Sequence, residues 1–277
     1  MRKLESFLLL HADKLASKDL FCLLANIVTL YKKNGVKFNR EGDFISITWN
    51  KSKYLAFGNR QSFQRYRNGL EARCKKLSDE YLLHRVPFGP GDVVIDIGAN
   101  FGDFAQIFNY KEFKVQIFCF EPDPVCYEAL IRNHPNRFIE KIALSDGSGM
   151  RRFVCATETS DSSLSEESQT SESNITWVHT MKLDDYEPLS QYAKIKLLKV
   201  ETEGFEWEVL KGSAVTLEKV EYVVCDAGPE RGSEKRTTVV EVSNYLLSKG
   251  FKFIAFYHRR SIVLFRNSRM LDAQSDV

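Results

Sequence analysis

The chain has 277 residues, 43% of them hydrophobic and 27% charged, which allows a substantial core and excludes a wholly disordered polypeptide. That length suits one large α/β domain, or a domain with an appended module. Lys and Arg number 39 against 37 Asp and Glu, a net charge of +2, which argues against a dedicated nucleic-acid binder with a basic footprint.

The total conceals an asymmetry: residues 1–88 carry +9 and residues 89–277 carry −7. Met1-Arg2-Lys3 begins like a secretory signal, but Glu5, His11, Asp13 and Lys14 confine the apolar run to residues 7–10. That is short of an h-region of roughly 7–15 residues. The longest apolar stretch, residues 20–30, is broken by Asn26, and a membrane span needs about 20. Six cysteines are scattered without a Cys-x-x-Cys pair, so a reducing, cytoplasmic setting is expected.

Apolar residues at helical spacing predict two short helices within residues 4–33. Val36-Lys37-Phe38 and residues 44–49 alternate like strands around the turn Arg40-Glu41-Gly42-Asp43. Helical spacing returns over 60–85 through Tyr66, Leu70, Cys74, Leu77, Tyr81 and Leu82. Residues 31–76 hold 12 Lys/Arg against 3 Asp/Glu, with eight aromatics interleaved. Such a surface can bind nucleic acid, an anionic glycan or an anionic lipid face as a peripheral membrane contact. It can equally be the solvated face of a packed module, or pair two subunits; the oligomeric state stays open.

Pro87-Phe88-Gly89-Pro90-Gly91-Asp92 is a turn that divides a small α+β N-terminal module, residues 1–88, from a domain over 89–277. Beyond it, strand-like runs at 93–97, 115–120, 138–144, 195–200, 222–225, 251–257 and 262–265 alternate with helices near 102–110, 124–133, 205–212 and 237–249. This alternation predicts an α/β fold with a mostly parallel sheet. The last two runs are joined by only four residues, so the sheet should end in an antiparallel hairpin. Residues 156–176, rich in Ser, Thr and Glu, read as a mobile loop.

The segment Asp96-Ile97-Gly98-Ala99-Asn100-Phe101-Gly102 follows a strand and opens a helix. Gly98 and Gly102 let the backbone approach a ligand closely. The turn lacks the second glycine of the dinucleotide fingerprint G-x-G-x-x-G, which disfavours an NAD-dependent dehydrogenase. Asp96 at the strand end repels a pyrophosphate but suits a cation such as the sulfonium and ammonium of S-adenosylmethionine. Glu121, in Phe120-Glu121-Pro122-Asp123-Pro124, stands where two carboxylate oxygens can accept both ribose hydroxyls of a nucleoside. Pro124 suits a first helical position, with Asp123 as its N-cap. Asp146, in Ala143-Leu144-Ser145-Asp146-Gly147, can accept from an adenine amino group or simply form a turn.

These segments, with Leu183-Asp184-Asp185, Lys199-Val200-Glu201-Thr202-Glu203-Gly204-Phe205-Glu206 and the Val209–Gly212 stretch, occur in an order that resembles the FkbM family of S-adenosylmethionine-dependent methyltransferases. The resemblance covers about residues 89–266. It implies a Rossmann-like, class I methyltransferase sheet and O-methylation of a sugar hydroxyl in a glycan precursor or specialised metabolite. It also implies a cofactor site at Asp96, Gly98, Ala99, Asn100, Gly102, Glu121, Pro122, Ser145 and Asp146. Glu201 departs from the family, which usually has Asp there.

Methyl transfer from a sulfonium requires a nucleophile aligned in line, water excluded, and for a hydroxyl a base or a metal. Lys199, Glu201 and Glu203 follow the 195–200 strand, and Asp226 ends the next one. Glu201, Glu203 and Asp226 brought together can place a base or hold Mg2+, a hard ion that favours oxygen ligands. The loop Asp161-Ser162-Ser163 can contact a ligand. His134, His179 and His258 read as structural or exposed, Arg259 and Arg260 as a solvated hairpin edge, and Tyr110 and Trp207 as packing residues. An RNA methyltransferase using the basic module, and a non-catalytic binding module, are the rival functions.

Overall fold

The computed structural model describes residues 2–11, 15, 17–110, 114–155, 162–164 and 175–272. The N-terminal segment contains α1 (Arg2–His11), α2 (Lys18–Lys32), β1 (Lys37–Glu41), β2 (Phe44–Trp49), β3 (Ser52–Ala56), α3 (Arg60–Tyr66) and α4 (Leu70–Glu80). Ser17 caps α2 by accepting from the Leu20 amide. The three strands form one antiparallel sheet. Sequence reasoning missed β3 because its turn is Asn50-Lys51, both at positive φ (46° and 68°), rather than an Asn-Gly pair that announces a tight hairpin.

The chain continues through β4 (Val93–Ile97), α5 (Asp103–Ile107), β5 (Gln116–Phe120), α6 (Pro124–Asn133), β6 (Phe138–Glu140), β7 (Ala143–Leu144), β8 (Gly149–Val154), β9 (Ser163–Leu164), β10 (Ile175–Met181), β11 (Ile195–Val200) and α7 (Glu206–Lys211). It closes with β12 (Val220–Asp226), β13 (Pro229–Arg231), β14 (Arg236–Thr237), α8 (Val239–Ser248), β15 (Phe251–Tyr257) and β16 (Ile262–Asn267). The main sheet runs β15-β16-β12-β11-β4-β5-β6. Its β12-to-β6 part is parallel, and β16 and β15 add the antiparallel pair. This is the mostly parallel sheet with a terminal hairpin that the strand spacing anticipates, and the Rossmann-like α/β sheet that the resemblance implies. β4 is buried along its whole length, as a central strand covered on both faces must be.

The chain leaves β4 toward β5 on one side and later returns to β11 on the other. The carboxyl ends of β4 and β11 therefore flank the switch point where open α/β sheets bind ligands. A second sheet, β7-β10-β8-β9, lies outside the sequence expectation. The run expected as one strand over 138–144 splits, giving β6 to the main sheet and β7 to this one. β8 gave no signal because its residues alternate poorly between buried and exposed. Most of the 156–176 loop lies outside the described residues.

Packing crosses the Pro87–Gly91 turn. Cys74, Leu77 and Tyr81 share a core with Val94, Ile117, Leu197 and Leu264 of the main sheet. Phe101, Cys126 and Ala129 join the core of the N-terminal strands and helices. The basic segment is thus seated on the carboxyl-end side of the fold, where it can wall a site.

Candidate active site

The turn after β4 is built from conformations and clearances that few side chains tolerate. Gly98 has φ +71°, and a Cβ there would lie 1.8 Å from the Glu201 carbonyl oxygen. Gly102 has φ +92°, and a Cβ would lie 2.3 Å from the His134 ring. His134 Nε2 is 3.0 Å from the Gly102 carbonyl, and burial pushes the ring down to about 4, so it is a neutral packing group. Asn100 also sits at positive φ, 51°. Its amide donates to Glu121 Oε2 at 2.7 Å, and the Asp123 amide donates to Glu121 Oε1 at 2.8 Å. Burial outweighs those two donors and pushes the Glu121 carboxyl up to about 7. Gly98→Ala should cost several kcal/mol, as an unrelieved backbone overlap does; urea unfolding with cofactor titration reads both consequences, and unchanged values would contradict the clearance.

Lys199 knits the two central strands. Its Nζ lies 2.8 Å from Asp96 Oδ1 and 3.2 Å from Glu201 Oε2, and donates to the Ile97 and Gly98 carbonyls. Burial disfavours its charge, but Asp96 and Glu201 together keep it protonated far above neutrality. Asp96 was expected to face the cofactor cation. It is instead fully buried beneath the turn and faces Lys199, outside the lining of the neighbouring cavities. Its effect on a ligand passes through Lys199 and the turn. Lys199, expected at the chemistry, is likewise spent on architecture, although it reaches the cleft floor.

Two cavities meet at Gly98, Glu121 and Glu201. One is a small slot lined by Pro122, Ile142, Ala143, Leu144, Phe153, Leu164 and Phe205. An apolar lining beside a carboxylate that can take a ribose diol has the chemistry a nucleoside requires, and the Gly98–Asn100 turn admits close backbone approach. The residues present therefore fit S-adenosylmethionine.

Ser145 and Asp146 stand apart from that slot. Asp146 pairs with Lys211 at 2.7 Å and Arg151 at 3.2 Å, and these partners hold its carboxyl below its ordinary value against burial. Ser145 Oγ accepts from Arg151. The pair ties β8 to α7 rather than offering free acceptors to adenine. Gly212 serves the same junction, since a Cβ there would meet the Ser145 carbonyl at 1.9 Å. Asp184 accepts from the Thr216 amide at 2.7 Å and caps the turn before β12. Buried Glu206 accepts from the Thr202 and Gly204 amides and Thr238 Oγ1, holding the Glu201–Gly204 turn.

The second cavity is a polar cleft of about 430 Å3. Its floor is Gly98, Ala99, Asn100, Glu201 and Glu203, and its far wall is Arg60, Gln61, Gln64, Arg65, Arg73 and Lys76 from α3 and α4. Asp103 joins the two halves: Tyr54 and Tyr66 hydroxyls lie 2.8 and 2.6 Å from Oδ1, and Arg73 Nε donates to Oδ2 at 2.7 Å. Burial opposes the Asp103 charge, but Arg73 and Arg65 hold its carboxyl low.

Arg260 corrects the expectation of a solvated hairpin edge. Its guanidinium turns inward to Glu201, to Asp226 Oδ2 at 2.6 Å and to Glu80 Oε2 at 3.5 Å. Tyr81 Oη donates to Glu201 Oε2 at 2.5 Å. Burial would raise Glu201, yet Lys199, Arg260 and Tyr81 hold it well below the carboxylate range. A carboxylate so stabilised is a poor proton acceptor, so Glu201 organises the site instead of serving as its base. Glu201 and Asp226 do converge, but on a guanidinium. Among the described residues, no group of three or more His, Cys, Asp or Glu is arranged to hold a metal ion.

Glu203 lines the cleft at φ +53°. Ser162 lines both cavities and donates to Asp123 Oδ2 at 2.8 Å, while Asp161 lies outside the described residues. Asp123 caps α6, accepting from the Val125 and Cys126 amides. His179 and His258 are exposed. Trp207 stacks under Lys211, whose Nζ is 4.2 Å from the ring centroid, and Tyr110 is 41% exposed. Tyr81, Asp103 and Glu230 were not singled out, and Arg260 was read as a solvated edge. Tyr81 fitted a core helix pattern, and nothing local marks the other three.

The family described as methyltransferase FkbM domain matches residues 96–253. Over 93 residues the chain is 37% identical to 31-O-demethyl-FK506 methyltransferase FkbM of Streptomyces tacrolimicus, a match covering 32% of this chain and 34% of that protein. It is 27% identical over 201 residues to 2-O-methyltransferase NoeI of Sinorhizobium fredii, covering 65% and 82%. It is 30% identical over 139 residues to hexuronic acid methyltransferase AglP of Haloferax volcanii, covering 49% and 55%. The chain thus spans about a third, four-fifths and half of these relatives.

Proposed function

The chain belongs to the FkbM family of S-adenosylmethionine-dependent methyltransferases, and from that membership we propose that it methylates a hydroxyl oxygen of a sugar in a glycan precursor or specialised metabolite. One observation carries the choice of acceptor. Gln61 Oε1 and Glu230 Oε2, on residues that line the cleft, are buried without a hydrogen-bond partner among the described residues. The amide oxygen and, once ionised, the carboxylate are acceptors, and an unpaired buried acceptor costs free energy. The ligand that completes them presents O–H or N–H donors, as a polyol does.

When bound, S-adenosylmethionine supplies a methyl group activated by a sulfonium. Glu121 holds the ribose, the apolar slot holds the adenine, and the Gly98–Asn100 turn fixes their approach. α3 and α4 cover the cleft and restrict water, which protects the methyl donor and aligns the acceptor. Arg60, Arg65 and Lys76 on that wall suit an acceptor that also carries a carboxylate or phosphate. The names of AglP, for a hexuronic acid, and NoeI, for a 2-O position, agree with a sugar hydroxyl. We assign residues 1–88 to acceptor recognition and 89–277 to the cofactor and chemistry. Six unpaired cysteines, five of them buried, suit a reducing cytoplasm, and no helix among the described residues is long and apolar enough to cross a membrane.

Calorimetry with S-adenosylmethionine, then mass spectrometry for an added CH2 across neutral sugars, uronic acids and RNA, tests this reading. A methylated sugar is the expected product. Methylated RNA whose binding weakens steeply with salt would move the function to the basic module instead.

A further inference from the structure

Oxygen methylation of a neutral hydroxyl leaves a proton that some group must accept. Among the described residues six carboxylates line the cleft, and most are already committed. Asp103 is held by Arg73, Tyr54 and Tyr66. Glu201 is held by Arg260, Lys199 and Tyr81. Glu80 pairs with Arg260 and Lys76. Glu121 takes two backbone amides at the cofactor end, and Glu203 is engaged by a neighbour. Glu230 differs from these. Among the described residues it has no ion pair within 4.0 Å, and its Oε2 is buried without a donor. The Glu230 amide donates to the Gly228 carbonyl at 3.0 Å, a tight turn that folds the side chain back. A Cβ on Gly228 would come 3.2 Å from Glu230 Oε1 and 3.5 Å from Asp226 Oδ1. The absent side chain at Gly228 therefore leaves room for two neighbouring carboxyls, of which Arg260 holds Asp226.

We propose that Glu230, resting on the methyltransferase reading above, is the general base that removes the proton of the acceptor hydroxyl. The hydroxyl proton passes to the Glu230 carboxylate as the hydroxyl oxygen bonds the methyl carbon. The methyl carbon–sulfur bond breaks with its electron pair kept on sulfur. Charge balances, because the carboxylate and the sulfonium are both neutralised.

Burial, with Asp226, Glu201 and Glu206 nearby, pushes Glu230 up to about 8 against the opposing charge of Arg260. Burial and Glu201 likewise raise Asp226 to about 7. A base must be ionised to act, so the rate climbs with pH through this range and levels above it. The folded value also exceeds the ordinary 4.5. Ionising Glu230 therefore costs folding stability as pH rises from about 4.5 to 8, and the cost is complete above that.

Glu230→Gln and Glu230→Asp, compared with the wild type, test the assignment. In the ligand-free protein, 13C NMR of labelled glutamate carboxyls should show a group titrating near pH 8 that disappears in Glu230→Gln. The stability loss between pH 5 and 8 should shrink with it. With methyl glucoside and methyl glucuronide as acceptors, Glu230→Gln should lower kcat by about 10²–10⁴ and abolish the rising pH limb. Its cofactor Kd should stay near the wild-type value, and Glu230→Asp should recover part of the rate. A Glu230 that titrates near pH 4.5, or a Glu230→Gln enzyme with wild-type kcat, overturns the proposal. Failure of the wild type to bind S-adenosylmethionine would instead reject the methyltransferase reading.

Discussion

Asp96→Ala is expected to lower the unfolding free energy by about 3–5 kcal/mol, the usual cost of stranding one member of a buried ion pair. Asp96 and Lys199 side chains are 0% and 2% exposed and lie 2.8 Å apart. Without Asp96, the Lys199 ammonium keeps Glu201 and two carbonyls, while Glu201 is already shared with Arg260 and Tyr81. Replacing both partners, as Asp96→Ala with Lys199→Met, should recover much of the loss, because no buried charge is then stranded. Urea unfolding of the wild type, both single variants and the double variant measures this. A loss under 1 kcal/mol for Asp96→Ala would show that the pair does not hold the two strands together. Cofactor affinity should fall in the single variant through disorder of the turn and recover in the double variant, which distinguishes Asp96 from a direct ligand.

Glu121→Ala should weaken S-adenosylmethionine binding by about 100-fold or more, the worth of two hydrogen bonds to a charged acceptor. Ribose hydroxyls need the ionised carboxylate as acceptor. Since burial raises Glu121 to about 7, wild-type affinity should strengthen as pH rises from 6 to 8. The variant should lose that dependence. In the absence of cofactor the sign for stability is opposite. The folded value lies above the ordinary 4.5, so Glu121 costs stability as pH rises through about 4.5–7, and its removal relieves that cost. Calorimetry at pH 6 and 8 reads the first effect. Equal affinity for wild type and variant at both values would remove Glu121 from the cofactor site.

Much of the candidate site's framework was legible because its signals are local. A glycine turn after a buried strand, and an acid after the next strand, need only neighbouring residues to be recognised. Gly98, Gly102 and Glu121 lie where the spacing placed them, and Asp123 and Pro124 cap α6 as the dipeptide order implies. Asp146 and Asp96 were misread in direction. Whether an acid faces a ligand or a lysine depends on which basic side chain arrives from another element, and Lys211 and Lys199 arrive from α7 and β11.

By itself, then, the sequence determined the order of the main-sheet strands and the helices between them, the glycine turn, the family and the charge split between the two segments. Tertiary structure decided which acids remain free for chemistry. Tyr81 reaches Glu201 across 120 residues of chain and Arg260 across 59. Both contacts exist because the sheet sets β16, β12 and β11 side by side while α4 packs on its face. Periodicity records which face of an element is buried, and carries no information about which distant element covers it. The basic segment that looked separable supplies Tyr81, Arg73 and one wall of the cleft. What distinguishes Glu230 from the other acids of the cleft is a carboxyl oxygen that neither an ion pair nor a backbone donor satisfies among the described residues, and only the packed fold shows that.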